Sequence, residues 1–235
     1  MKLSHIIILP TYNEELNIGN ILKKLRNEFS DFFILVVDDS QNDLTRKEFE
    51  RYKNDKCKII SRNQKKGRGS AIRLGFEYAI KNDYSVIIEM DSDLSHDPTD
   101  LSNMINKFQK GNFDIIIGSR YLKESKIINW SKKRIIFSKL GNFLARFLFK
   151  NSIKDYTNGF RVYKKEVVNK VIQSNQINSG FIYLTEILVI ALKNNFSISE
   201  FPIRFVNRVK GESSVNLKSI IESFLGILNL KIKNF

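Results

Sequence analysis

The segment Val86-Ile87-Ile88-Glu89-Met90-Asp91-Ser92-Asp93 decides how this chain is read. A short, mostly apolar run suits a buried strand, and two carboxylates one residue apart follow it directly. Other apolar runs are punctuated in a related way. Ile6–Leu9 leads into Pro10-Thr11-Tyr12-Asn13-Glu14, Phe32–Val37 into Asp38-Asp39-Ser40, and Asp114–Ile117 into Gly118-Ser119-Arg120-Tyr121. Lys58–Ile60 adds a further short strand. Between these runs lie helical patterns: Leu16, Ile21, Leu22 and Leu25 share one face, and Thr45–Tyr52 and Ser70–Ile80 follow. Asp97-Pro98 opens another helix, with proline at a favoured first-turn position. Apolar runs alternating with helices predict an α/β domain built on a predominantly parallel sheet.

In such a sheet the carboxyl ends of the strands lie along one edge, where ligands bind. Five acidic groups (Glu14, Asp38, Asp39, Asp91, Asp93) and Arg120 are therefore expected at one crevice. Asp and Asn also punctuate ordinary turns, and Asp38-Asp39 alone reads equally well that way. The Asp91-Ser92-Asp93 pair is more demanding, because confining like charges is costly unless a cation neutralises them. A hard divalent ion sharing its shell with substrate phosphates meets that requirement. No G-x-x-x-x-G-K-[ST] phosphate loop is present, and Lys66-Gly67-Arg68-Gly69-Ser70 lacks the spacing of a dinucleotide fingerprint. That segment remains open between a phosphate contact at a helix start and a capped, solvated loop.

Composition bounds the rest. With 235 residues, 42% hydrophobic and 27% charged, the chain suits one globular domain rather than a disordered or fibrous one. A single cysteine, Cys57, excludes an internal disulfide and a cysteine-based zinc set, and two histidines argue against a histidine-rich metal site. The net charge of +14 is unevenly spread: residues 1–100 carry 16 basic and 17 acidic side chains, residues 101–235 carry 23 and 8. An anion-facing surface is thus expected in the second half.

After Arg120 the pattern changes. Residues 132–149 predict an amphipathic helix in which large apolar side chains from Ile135 to Leu148 alternate with Lys132, Lys133, Arg134, Lys139 and Arg146. Such a helix suits an anionic membrane surface, with an ordinary packed surface helix as the alternative. Trp130, just before it, reads as an interfacial anchor or a packing residue. Phe181–Asn194 and Ile220–Leu230 predict further helices and Ser197–Val206 a strand. None of these stretches reaches the ~20 apolar residues of a membrane span, and no signal peptide is recognisable, so a cytoplasmic protein lying peripherally on a membrane is expected.

The ordered set Leu9–Glu14, Val37–Ser40, Met90–His96 and Gly118–Tyr121 resembles family 2 glycosyltransferases of the GT-A, Rossmann-like fold. More closely it resembles the dolichyl-phosphate mannosyltransferases and their bacterial polyprenyl-phosphate relatives. The likeness continues through Asp155–Lys164 (DYTNGFRVYK) and Pro202–Ser213 (PIRFVNRVKGES). It implies one GT-A domain over 1–235, with a nucleotide-sugar and metal half at 1–120 and a basic, acceptor- and membrane-facing half at 121–235. It implies that Pro10, Tyr12, Glu14, Val37 and Asp39 hold the donor nucleoside. Asp91 and Asp93 would hold Mg²⁺ or Mn²⁺, with Ser95 assisting, and Ser92 would line the donor. Arg120 and Arg208 would contact the donor phosphates and Arg134 the acceptor phosphate; Asp93, Arg120 and Arg134 would carry the chemistry. The implied reaction is inverting transfer of a hexose, mannose from GDP-mannose, to a polyprenyl or dolichyl phosphate, with a small membrane-anchoring subunit as a partner. A UDP-sugar donor or a non-lipid acceptor is the near alternative. A nucleic-acid partner is disfavoured, because no recognition motif accompanies the charge and acidic strand ends repel phosphate. Two departures stand out: Ser40-Gln41-Asn42-Asp43-Leu44 replaces the usual small-residue turn, and Ser214 stands where a lysine is common.

An acceptor phosphate is already ionised near neutral pH, its second pKa being about 6, so the reaction needs no general base. A hydroxyl acceptor would need one. Glu186 is the one candidate in the second half, and a structural hydrogen-bonded role is the favoured reading of it. His96 is expected to be structural rather than a ligand.

Overall fold

A computed structural model describes residues 3–174, 178–208 and 217–234. The first part alternates as expected: β1 (His5–Thr11), α1 (Ile18–Glu28), β2 (Phe33–Asp38), α2 (Leu44–Glu50), β3 (Cys57–Ser61), α3 (Arg68–Lys81), β4 (Val86–Glu89), α4 (Pro98–Gly111) and β5 (Ile115–Ser119). Then come β6 (Lys126–Ile128), α5 (Lys132–Phe149), β7 (Arg161–Lys164), α6 (Lys165–Gln173), α7 (Tyr183–Lys193), β8 (Ile198–Pro202), β9 (Arg204–Val206) and α8 (Leu217–Asn234). Helix starts follow local chemistry: Asp97 accepts a hydrogen bond from the Thr99 amide, 3.1 Å, ahead of Pro98, and Ser131 accepts from the Arg134 amide, 3.3 Å.

Seven strands form one sheet in the order β3-β2-β1-β4-β7-β5-β8. All pairs are parallel except those of β7, which runs antiparallel between β4 and β5. Helices cover both faces, so the fold is α/β on a predominantly parallel sheet. The alternation of strand side chains splits the core into two layers. Ile6 and Ile8 of β1 face α3, α6 and α7, whereas Ile7 and Leu9 face α1 and α4. β6 and β9 make a separate two-stranded parallel ribbon.

Three expectations need correction. The single strand over Ser197–Val206 is two strands serving two sheets, broken at Ile203, whose backbone amide donates to Ser119 O, 3.2 Å. β7 and α6 were not anticipated, because Arg161–Lys164 is short and mixed in polarity. Val37 was assigned to the donor pocket, but its side chain is fully buried in the core layer that includes Ala71 and Ile72 of α3. Its side chain therefore cannot reach a nucleoside.

Candidate active site

The carboxyl ends of β1, β2 and β4 meet as the topology requires, and hydroxyl groups tie their loops together. Thr11 and Ser40 donate to Asp38 Oδ1, at 2.8 and 2.7 Å. The Asn13 amide donates to Ser40 Oγ, 2.8 Å, and the Glu14 amide to Thr45 Oγ1, 3.0 Å. The unusual Ser40–Leu44 turn thus has a structural use: the Ser40 hydroxyl, with that of Thr45 just after the turn, holds the Tyr12–Glu14 loop. Asp38, the last residue of β2, is a structural acceptor for the Thr11 and Ser40 hydroxyls. Ser92 Oγ donates to Pro10 O, 3.3 Å, joining the ends of β1 and β4.

Asp39 is buried and occupied. Arg62 Nε donates to it at 2.5 Å, and the amides of Lys66 and Gly67 donate at 3.0 and 3.2 Å. It therefore fastens the loop before α3, and Lys65 of that loop lies 4.5 Å over the Tyr12 ring.

Asp91 and Asp93 each face an arginine. Asp91 Oδ1 accepts from Arg68 Nη1, and its Oδ2 lies 3.7 Å from His96 Nε2. The Asp91 amide donates to His96 Nδ1, 3.1 Å, which puts the imidazole proton on Nε2, where Asn158 Oδ1 accepts it at 3.0 Å. His96 is fully buried and stacked on Phe160, so it orients the Asp91 backbone as a structural residue. Burial pushes the Asp91 carboxyl up, but the Arg68 guanidinium outweighs it and holds the carboxyl down to about 2. Asp93 accepts from the Ser95 amide, 3.0 Å, and pairs with Arg208, 2.8 Å. Leu94 between them adopts φ +63°, an uncommon conformation for a leucine.

Glu14 completes the cluster. Asn17 Nδ2 donates to its Oε2, 2.7 Å, and Arg208 Nη1 lies 3.3 Å from its Oε1. Burial is the largest influence on it, and with Asp93 and Asp91 nearby its carboxyl is pushed up to about 7.

Oxygen ligands suit a hard divalent cation. Among the described residues no group of three or more His, Cys, Asp or Glu side chains is arranged to hold a metal. Asp91 and Asp93 are two carboxylates, and the Ser95 hydroxyl is buried without a hydrogen-bond partner. That set fits an ion that takes its remaining ligands from a diphosphate and water, as Mg²⁺ does.

The arginines divide into two kinds. Arg120 was expected on a donor phosphate. Instead its Nε and Nη2 donate to Asp155 at 2.8 Å each, its amide donates to the same carboxylate at 2.9 Å, and Nη2 also reaches Thr157 Oγ1 at 2.8 Å. Buried between Trp130 and Phe205, it anchors the Asp155–Thr157 turn. That anchoring, through Nε and Nη2, is the structural role the geometry gives it. Arg134 differs. Its Nη1 donates to the neutral Asn207 side chain, 3.0 Å, and its guanidinium lies 4.1 Å over Trp130. Among the described residues it has no carboxylate partner, and burial together with Arg120 and Arg208 pushes its pKa down. Trp130 is therefore a packing residue between guanidinium groups. Glu186 Oε2 accepts from the Asn178 amide at 2.6 Å and is buried on the first turn of α7, which suits the structural reading.

Sequence reasoning left the Lys66–Ser70 segment open and missed its main residue. Arg68 reaches Asp91, Glu89 and Tyr183 at once. Those partners lie up to 115 positions away, so no local pattern reveals the contact. The position of Ser214 lies outside the described residues.

A mostly parallel sheet with paired carboxylates at its carboxyl edge defines a GT-A glycosyltransferase. Residues 6–172 match glycosyl transferase family 2, and the chain belongs to that family. It is 34% identical over 231 residues to the polyprenol monophosphomannose synthase of Mycolicibacterium smegmatis, covering 97% of this chain and 87% of that protein. It is 36% identical over 236 residues to the dolichol-phosphate mannosyltransferase of Pyrococcus furiosus, covering 98% of this chain and 64% of that longer protein. Among solved structures, the glucosyl-3-phosphoglycerate synthase of Mycobacterium tuberculosis in complex with Mn²⁺, uridine diphosphate and glucosyl-3-phosphoglycerate superposes with a TM-score of 0.71 at 13% identity. That match covers 97% of this chain and 80% of that one, and shows a shared fold.

Proposed function

We propose that the enzyme transfers mannose from GDP-mannose to a polyprenyl or dolichyl phosphate at a membrane surface, on the cytoplasmic face. The observation that carries this reading is Arg134: a half-buried guanidinium beside the D-x-D, with no carboxylate partner among the described residues, at the start of an apolar helix. A phosphate monoester supplies the charge it lacks, and arginine's planar fork binds phosphate through two donors. The names of the two curated relatives, both mannose transferases to a polyprenol or dolichol phosphate, support the same substrates.

In this reading Asp91 and Asp93 would hold Mg²⁺ or Mn²⁺, with Ser95 assisting, and the chemistry such an ion would supply is neutralisation of the charge on the departing diphosphate. The other roles belong to side chains. Pro10, Tyr12 and Asp39 border the nucleoside, Ser92 and Glu14 shape the diphosphate end, and Arg208 leaves Asp93 for the donor phosphates. Arg134 aims the acceptor phosphate oxygen at the anomeric carbon. The nucleophile is already ionised, so positioning does most of the work and Glu186 is not a base.

The membrane reading rests on the outer face of α5. Its buried side is made of small residues, Gly141, Asn142 and Ala145, with Phe149 at the end, while Ile136, Phe137, Leu140, Phe143 and Phe147 are exposed. Leu225, Leu228 and Ile232 of the adjoining α8 extend that surface. A contiguous apolar face flanked by lysines suits acyl chains and anionic headgroups. Among the described residues no helix is long and apolar enough to cross a membrane. A small anchoring subunit would be a further occupant of this face.

The test is a donor panel, GDP-mannose and UDP-glucose among others, with polyprenyl phosphate in vesicles, with and without Mg²⁺ or Mn²⁺. Metal-dependent lipid-linked mannose is the expected product. No lipid-linked product with any donor would overturn the proposal.

A further inference from the structure

We propose that Arg68 is a positioning residue, a resident counter-cation that occupies one oxygen of Asp91 and keeps the D-x-D from holding a divalent ion tightly until a nucleoside diphosphate shares it. The proposal rests on the reading of Asp91 and Asp93 as metal ligands.

Arg68 is placed without help from Asp91. Its Nε donates to the Tyr183 hydroxyl at 2.8 Å and its Nη2 to Glu89 Oε1 at 3.2 Å. Glu89 is fully buried in β4 and also accepts from the hydroxyls of Tyr163 and Tyr183. The backbone around the guanidinium is cut to fit. Gly67 at φ +90° turns the chain into α3, the Gly69 amide donates to Ser179 O at 2.9 Å, and a β-carbon on Gly159 would collide with Arg68 Nη2. A flexible surface arginine that happened to meet an acid would need none of this.

The arrangement trims the charge of the site. Glu89 and Asp91 carry two negative charges and Arg68 returns one. Asp93 is likewise shared with Arg208, which also meets Glu14. What remains attracts a divalent ion weakly, and a diphosphate makes up the deficit. Arg68 takes Oδ1 of Asp91 and leaves Oδ2 for another cation. If Arg68 served only to neutralise Glu89, removing both side-chain charges together, as in Arg68→Gln/Glu89→Gln, would leave the local net charge unaltered and would not tighten metal binding.

The experiment titrates Mn²⁺ into the metal-free full chain and follows the free ion by electron paramagnetic resonance, with and without GDP. Without nucleotide, Arg68→Gln is expected to bind Mn²⁺ at least tenfold more tightly than wild type, and Arg68→Lys to resemble wild type. GDP should then tighten Mn²⁺ binding by wild type far more than by Arg68→Gln. A folded Arg68→Gln with wild-type Mn²⁺ affinity overturns the proposal. Should that variant fail to fold, Arg68→Gln/Glu89→Gln removes both buried charges together and carries the same expectation. No Mn²⁺ binding by any variant, with or without GDP, overturns the metal assignment and this proposal with it. Failure to form a lipid-linked product would overturn only the acceptor and donor reading, since the titration uses neither sugar nor lipid.

Discussion

The guanidinium of Arg208 lies 2.8 Å from the Asp93 carboxylate, and its other nitrogen lies 3.3 Å from Glu14. One side chain near the end of β9 thus spans the first loop and the D-x-D, the two places where donor binding is proposed. Burial dominates Glu14 and raises its pKa even though Arg208 works to lower it.

Stability should accordingly depend on Glu14. Its folded pKa is raised from an ordinary 4.5 to about 7. The folded chain therefore keeps a proton that the unfolded chain releases, so this contribution is fully present below about pH 4.5 and is lost as pH rises through 7. Glu14→Gln is expected to melt higher than wild type above pH 7, by the equivalent of about 2 kcal/mol, with the difference vanishing toward pH 4. Thermal melts across that range in nucleotide- and metal-free buffer measure it.

Asp155 and Arg120 form a fully desolvated pair, the acid held below its usual range and the arginine above it. Removing one partner strands the other, so Asp155→Ala should cost about 3–5 kcal/mol in chemical denaturation. A cost below about 1 kcal/mol would show that Arg120 has another partner.

Arg134→Met should lower kcat/KM for the lipid phosphate by about 100-fold, roughly the 1.5–3 kcal/mol of a charged hydrogen bond. Because the residue is assigned to the acceptor, the KM for the sugar nucleotide should stay within about threefold. Arg134→Lys should recover part of the loss, since charge returns without the planar fork.

Phe143 and Phe147 are 58% and 70% exposed on α5. The double change to Glu should leave stability within about 0.5 kcal/mol. Co-sedimentation with anionic vesicles should fall at least tenfold, while turnover on a short, water-soluble prenyl phosphate stays near wild type. Unchanged vesicle binding would remove α5 from the membrane interface.

The parts legible in the sequence are those in which chemistry adjoins its strand. Asp91 and Asp93 follow an apolar run, so their placement at the sheet edge required only the alternation of elements. The extent of α5 was readable because its apolar period, with cations between, is sustained over 132–149. Arg120 shows the limit: an arginine at a strand end invites a phosphate, yet a partner 35 residues on, Asp155, takes its Nε and an Nη2 donor. Arg68 is the reverse case, since nothing beside it in sequence announces Glu89 or Tyr183. β7 was invisible because Arg161 is fully buried by donating to the backbone carbonyls of Tyr156, Asn158 and Leu184, which no hydropathy pattern encodes.

The antiparallel β7 also constrains how such an enzyme can be rebuilt. It supplies the neighbour on which both β4 and β5 depend, and it arrives from beyond α5. A chimera joined after Tyr121 would remove the middle of the sheet rather than exchange a module. New acceptor preferences must therefore be introduced by point substitution within an intact frame, because recombination at that boundary has no self-standing piece to trade.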